Sequence, residues 1–144
     1  MSLMPNERLI LILEDAQSRR ERMTAVLGEF DSSIRVFVFP TAAEFMREYE
    51  ALHQRACIIS LDHDLESPND DVDPGDGTMV AQFLAEREPA CPVIVHSSNV
   101  ERADLMIYLL QNAGWRVERV GPIGDDWIET SWRIELQKLI AGCA

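Results

Sequence analysis

Apolar and polar positions fall in blocks along this chain, and the period changes from block to block. Leu9-Ile10-Leu11-Ile12-Leu13 is an unbroken apolar run, the pattern of a strand covered on both faces. Asp15 follows as a candidate helix cap, and Met23, Val26, Leu27 and Phe30 then recur at helical spacing. Ile34 to Phe39 reads as a second strand, rich in β-branched and aromatic residues and closed by Pro40. Thr41 and Glu44 have capping-box spacing, ahead of a helix with Phe45, Met46, Tyr49 and Leu52 on one face. The third strand, Cys57 to Leu61, runs straight into Asp62-His63-Asp64 and a long polar loop reaching Asp76-Gly77. A helix carrying Val80, Phe83 and Leu84 continues to about Glu88, where Pro89 stops it. Pro92 to Val95 is a fourth strand, ending in His96-Ser97-Ser98-Asn99. Ser98 and Glu101 again have capping-box spacing, before an apolar stripe of Leu105, Met106, Leu109 and Leu110 and a stop at Gly114. Trp115 to Val120 is a more polar strand, as expected at a sheet edge. Ile128, Trp132, Leu136, Leu139 and Ile140 mark a last helix.

Five successive strand-helix units predict an α/β domain, a parallel sheet with right-handed crossovers and helices on both faces. At 144 residues, with 47% hydrophobic and 26% charged, the chain suits a single domain, assigned to residues 4–142. The opening Met1-Ser2-Leu3 before Met4 carries no weight in this assignment. In such sheets ligands bind beyond the carboxyl ends of the strands. Those ends are therefore the place to look for chemistry.

Charge narrows the picture. There are 25 acidic residues against 13 basic ones, a formal net charge of −12, which argues against a broad basic face for duplex DNA. The stretch from Ala56 to Glu86 carries no Lys or Arg and much of the excess acidity. Three cysteines, Cys57, Cys91 and Cys143, are odd in number and widely spaced, which predicts reduced thiols, Cys57 buried and inert, and no cysteine metal site. No apolar run is long enough to span a bilayer and no signal-peptide pattern opens the chain, so a cytoplasmic location away from membranes is expected. The three tryptophans read as core or interface residues.

The strand ends offer Glu14 and Asp15, then Asp62, His63 and Asp64, then His96, Ser97, Ser98 and Asn99. Carboxylates gathered without basic neighbours repel one another unless a cation joins them, so a hard divalent ion such as Mg²⁺ is expected, held chiefly by Asp15 and Asp62. The loop residues Asp70, Asp71 and Asp73 read as solvated, and Ser67 at the glycine position spoils an EF-hand match from Asp62.

This arrangement resembles the receiver domain of response regulators along nearly the whole chain. The resemblance implies a (βα)5 flavodoxin-like fold with strand order 2-1-3-4-5. It also implies Mg²⁺ ligands at Glu14, Asp15, Asp62 and the Asp64 carbonyl, a phosphoacceptor role for Asp62, and the hydroxyl position of strand four at Ser97. The family's lysine before a proline falls at Gly121-Pro122, where no lysine stands; Lys138 lies in the last helix. Leu61-Asp-His-Asp-Leu65, Asp76-Gly77 and His96-Ser-Ser-Asn99 are similar, more narrowly, to the cyclic-phosphate processing receiver family. That likeness implies phosphoester hydrolysis on a cyclic-phosphate nucleotide or RNA end. The alternative is a phosphoacceptor module signalling to a protein partner through Asp62.

On the hydrolytic reading, His63 or His96 serves as acid or base, and Ser97, Ser98 and Asn99 at a helix start bind phosphate. Strand parity offers another reading of the histidines: both point away from Asp62 and Ser97 and meet in a structural contact. Arg102, Arg116 and Arg119 are the candidates to replace the missing lysine.

Overall fold

The computed structural model describes residues 7–143, so the first three residues of the assigned domain, 4–6, lie outside it. The strands are β1 (Arg8–Leu13), β2 (Ile34–Phe39), β3 (Ala56–Leu61), β4 (Val93–Val95) and β5 (Val117–Arg119). They form one parallel sheet in the order β2-β1-β3-β4-β5. The helices are α1 (Gln17–Leu27), α2 (Ala42–Leu52), α3 (Gly77–Ala85), α4 (Val100–Asn112) and α5 (Arg133–Ile140), the last entered through a π-helical turn at Ile128–Trp132. This is the predicted (βα)5 doubly wound fold. Among the described residues no helix is long and apolar enough to cross a membrane.

Alternation along the strands divides the core into two layers. Leu9, Leu11, Leu13, Ile59, Leu61, Val93 and Val95 pack toward α2, α3 and α4, where Phe45, Tyr49, Leu84, Met106 and Leu110 meet them. Ile10, Ile12, Ile58 and Ile94 pack toward α1 and α5, against Met23, Val26, Leu27, Trp132 and Leu136. The tryptophans belong to these layers, with Trp115, Trp127 and Trp132 all buried.

Helix entry differs from expectation in two places. Asp15 does not cap α1; the cap position is Ala16, which offers no side-chain acceptor. Asn99, rather than Ser98, caps α4, its Oδ1 accepting from the Arg102 amide at 3.2 Å. The Thr41 cap stands, with Oγ1 accepting from the Glu44 amide at 3.2 Å.

The expectation of three separate thiols is also corrected. Cys57 and Cys143 are joined as a disulfide, their Cα atoms 5.3 Å apart across a sequence separation of 86, and Cys91 is the free thiol. A register shift opposite Leu9 and Ile10 makes Cys57 the extra residue of a bulge. The bulge lets Cys57 join its neighbour Ile58 in the α1/α5 layer, where the turn after α5 delivers Cys143. Spacing along the chain carries no trace of that meeting.

Candidate metal centre at the strand ends

Strand register builds the site. Leu13 lies opposite Leu61, and Leu61 opposite Val95, so the residues that follow, Glu14, Asp62 and His96, leave three adjacent strands side by side. The Asp62 amide donates to the Leu13 carbonyl at 3.0 Å and the His96 amide to the Leu61 carbonyl at 2.9 Å, carrying the ladder one step past the last strand residue. Glu14 continues the parity of Ile10 and Ile12, and His96 that of Ile94, so both side chains enter the α1/α5 side of the sheet.

One ligand atom each from Glu14, Asp62 and His96 lies within 4.8 Å of the others. Glu14 and His96 are fully buried and Asp62 is 5% exposed. His96 Nε2 lies 3.2 Å from Glu14 Oε1, and its ring stacks on Trp127 at 5.8 Å. The Glu14 carboxylate also accepts from the Ala16 amide at 3.0 Å.

Electrostatics separate the two acids. Burial pushes the Asp62 carboxyl up to about 6, with the Glu14 charge adding to this and the His63 amide and the Arg19 charge opposing it. For Glu14 burial also acts upward. It is outweighed by the hydrogen bond from His96, the Ala16 amide and Arg19, which together hold that carboxyl below the ordinary range. Two buried carboxylates at this separation are a donor set suited to a divalent cation, and an imidazole beside them widens the choice of metals.

The cation that approaches them is one that sequence reasoning missed. Arg19, in the first turn of α1, places Nη1 3.7 Å from Glu14 Oε1 and 3.9 Å from Asp62 Oδ2, with its guanidinium over the Trp127 ring at 5.4 Å. Its side chain is 33% exposed, so it faces both the acids and solvent. Its position five residues after Glu14 was the available signal. Of the three expected substitutes for the lysine, Arg119 comes nearest in role, donating from Nη2 to the Ser97 carbonyl at 2.6 Å.

The remaining candidates divide. Asp15 is outside the three-residue group; its Oδ2 accepts from the Glu66 amide at 2.6 Å, and burial raises its carboxyl against that bond. Asp64 is exposed, with Oδ1 2.8 Å from His63 Nδ1 and both oxygens 3.5 Å from the Asn99 amide nitrogen. Ser97 is buried and its Oγ accepts from the Asn99 amide at 3.1 Å, while Ser98 is exposed.

The two histidines do not meet, contrary to the parity reading. His96 turns to Glu14 and Ser60. His63 turns to Asp64 and leaves Nε2 buried without a hydrogen-bond partner, 3.9 Å from Asp76 Oδ2. The parity reading sets Asp62 and Ser97 on one face, whereas the register of β3 and β4 sets Asp62 beside His96.

The fold is shared with response regulators. The phosphorylated cyanobacterial phytochrome response regulator RcpA superposes with a TM-score of 0.69 at 16% identity, over 96% of each chain. The response regulator domain of Thermotoga maritima CheB gives 0.64 at 17%, over 95% of this chain and 96% of that one. Salmonella typhimurium RcsB gives 0.66 at 16%; there this chain is 95% covered but spans only 61% of the RcsB chain. No curated protein sequence matches. The sequence model of the cyclic-phosphate processing receiver domain matches residues 9–112, which includes Glu14, Asp62 and His96. With that match over most of its length, the chain belongs to the cyclic-phosphate processing receiver domain family.

Proposed function

We propose that this domain is a divalent-cation-dependent phosphoester hydrolase acting on cyclic phosphate ends of nucleotides or RNA. The observation that carries the reading is the convergence of the buried Glu14 and Asp62 carboxylates beside one half-exposed guanidinium. The Asp62 carboxyl is raised chiefly by burial, with the Glu14 charge adding to it, and a bound cation would favour its ionised form; carboxylate oxygens suit a hard ion such as Mg²⁺. Glu14 and Asp62 hold that ion, whose chemistry when bound is to polarise a phosphoryl oxygen and acidify a water.

The chain's own residues supply the rest. Arg19 pairs with non-bridging phosphoryl oxygens, its stacking on Trp127 limiting the positions the guanidinium samples. Ser98, Asn99 and the first amides of α4 present donors at a helix start. His63, fixed at Nδ1 by Asp64, keeps Nε2 for proton transfer. In the reaction, water oxygen bonds to phosphorus, one ribose oxygen–phosphorus bond breaks, and a proton passes to the leaving oxygen. A nucleotide or RNA monophosphate ester results.

The test is incubation with 2′,3′-cyclic nucleotides and Mg²⁺. Release of monophosphate, abolished by EDTA and in Asp62→Asn, is the expected outcome. If a small phosphodonor instead adds a base-labile phosphoryl group to Asp62 and no cyclic nucleotide opens, the domain is a phosphoacceptor signalling to a protein partner. Gly121 at the lysine position disfavours that result.

A further inference from the structure

A buried relay runs behind the carboxylates. Trp132 Nε1 lies 3.0 Å from Ser60 Oγ, Ser60 Oγ lies 2.6 Å from His96 Nδ1, and His96 Nε2 lies 3.2 Å from Glu14 Oε1. All four residues are fully buried, so their donors and acceptors must be satisfied among themselves. The relay joins the π-helical turn ahead of α5, β3, and the residues that follow β4 and β1.

Proton accounting gives it a direction. An indole N–H only donates, so Ser60 Oγ accepts from Trp132. Among the described residues the Ser60 hydroxyl has no other partner than His96, so its single proton goes to Nδ1. Nδ1 is then the acceptor nitrogen of a neutral imidazole, and the ring proton sits on Nε2, donated to the Glu14 carboxylate. A ring protonated at Nδ1 would make Ser60 accept twice and strand the hydroxyl proton, unpaired, in a fully buried layer.

We infer that His96 is a positioning residue and not a metal ligand: Trp132 and Ser60 lock its tautomer so that an N–H holds Glu14 in place for the cation. In this tautomer neither ring nitrogen has a free lone pair, since one carries the proton and the other accepts from Ser60. The cation then meets protein oxygens alone, which assigns the site to the Mg²⁺ and Mn²⁺ class rather than to imidazole-bound zinc. The inference deepens the proposed function and rests on its cation. It also explains a polar residue within the apolar run of β3: Ser60 stands between Ile58-Ile59 and Leu61, yet is fully buried.

The test is long-range proton–nitrogen NMR of the histidine rings, first on metal-free protein and then with Mg²⁺, with His96→Gln used to assign the signals. A proton on Nε2 of His96 in both states is expected, and Ser60→Ala should lose the fixed tautomer and weaken Mg²⁺ binding by about tenfold in calorimetry. A proton on Nδ1, or an Nε2 signal that moves to a metal-coordinated position on adding Mg²⁺, overturns the inference. Absence of any Mg²⁺ binding would sink the proposed function. The metal-free spectrum would still decide the tautomer, so the two failures are distinguishable.

Discussion

The Asp62 carboxyl, raised to about 6 chiefly by burial, lies above its unfolded value. A raised folded pKa means that the stability this group contributes is complete below about pH 4 and is lost as pH rises through about 6. Glu14 shifts the other way, so its contribution is lost only at more acid pH, below the ordinary carboxylate range. Metal-free protein should therefore become less stable between pH 4 and pH 6, by at most about 3 kcal/mol, with Asp62→Asn flattening the slope. Urea unfolding in EDTA across that range checks it; an unchanged slope in the variant would place the acid responsible elsewhere. Gly77 is required by contact: a Cβ there would stand 2.8 Å from His63 Cα and 2.7 Å from Met106 Cε. Its amide also donates to the His63 carbonyl at 2.9 Å. Gly77→Ala should cost about 1–3 kcal/mol in denaturant melts, and should lower Mg²⁺ affinity because the backbone of Asp62 and His63 must yield.

At the scale of elements, the helix starts tie the site to the scaffold. The Asp76 side chain caps α3 by accepting from the Met79 amide at 2.9 Å, and an isolated bridge pairs Asp76 with Asp64. The long acidic loop is thereby closed at both ends around His63. Asn99 caps α4 while its amide nitrogen reaches Asp64, so the proposed phosphate-binding turn is braced from the β3 side. Asn99→Ala should lower stability by about 1 kcal/mol, read as a fall in thermal midpoint, and should weaken inorganic phosphate binding. Loss of stability with phosphate binding unchanged would leave Asn99 a cap alone.

For the whole molecule, one helix serves two ends of the sheet. Trp132, at the end of the π-helical turn, reaches Ser60 behind the carboxylates, while Cys143, after α5, is bonded to Cys57 near the start of β3. Closing a loop of this length restricts the unfolded chain and should stabilise the fold by about 2–4 kcal/mol. Cys143→Ser should lower the thermal midpoint under oxidising conditions and make it insensitive to reductant. A wild-type midpoint that ignores reductant would show that the bond does not form in solution.

The layers were legible in the chain because each strand's apolar alternation or run is local: Leu9 to Leu13, Ile34 to Phe39 and Val93 to Val95 each declare a strand within a few residues. So was the arrival of acidic residues at one rim, Glu14 and Asp15 after the first strand and Asp62 after the third, since a parallel sheet brings every carboxyl end to the same side. What tertiary structure alone decided were the partners. Glu14 rather than Asp15 joins Asp62, His96 stands against Glu14 rather than His63, Arg19 supplies the cation, and Cys57 finds Cys143. Each pairing depends on strand register, a bulge or helix packing between residues far apart in the chain, and local periodicity carries no information about any of the three.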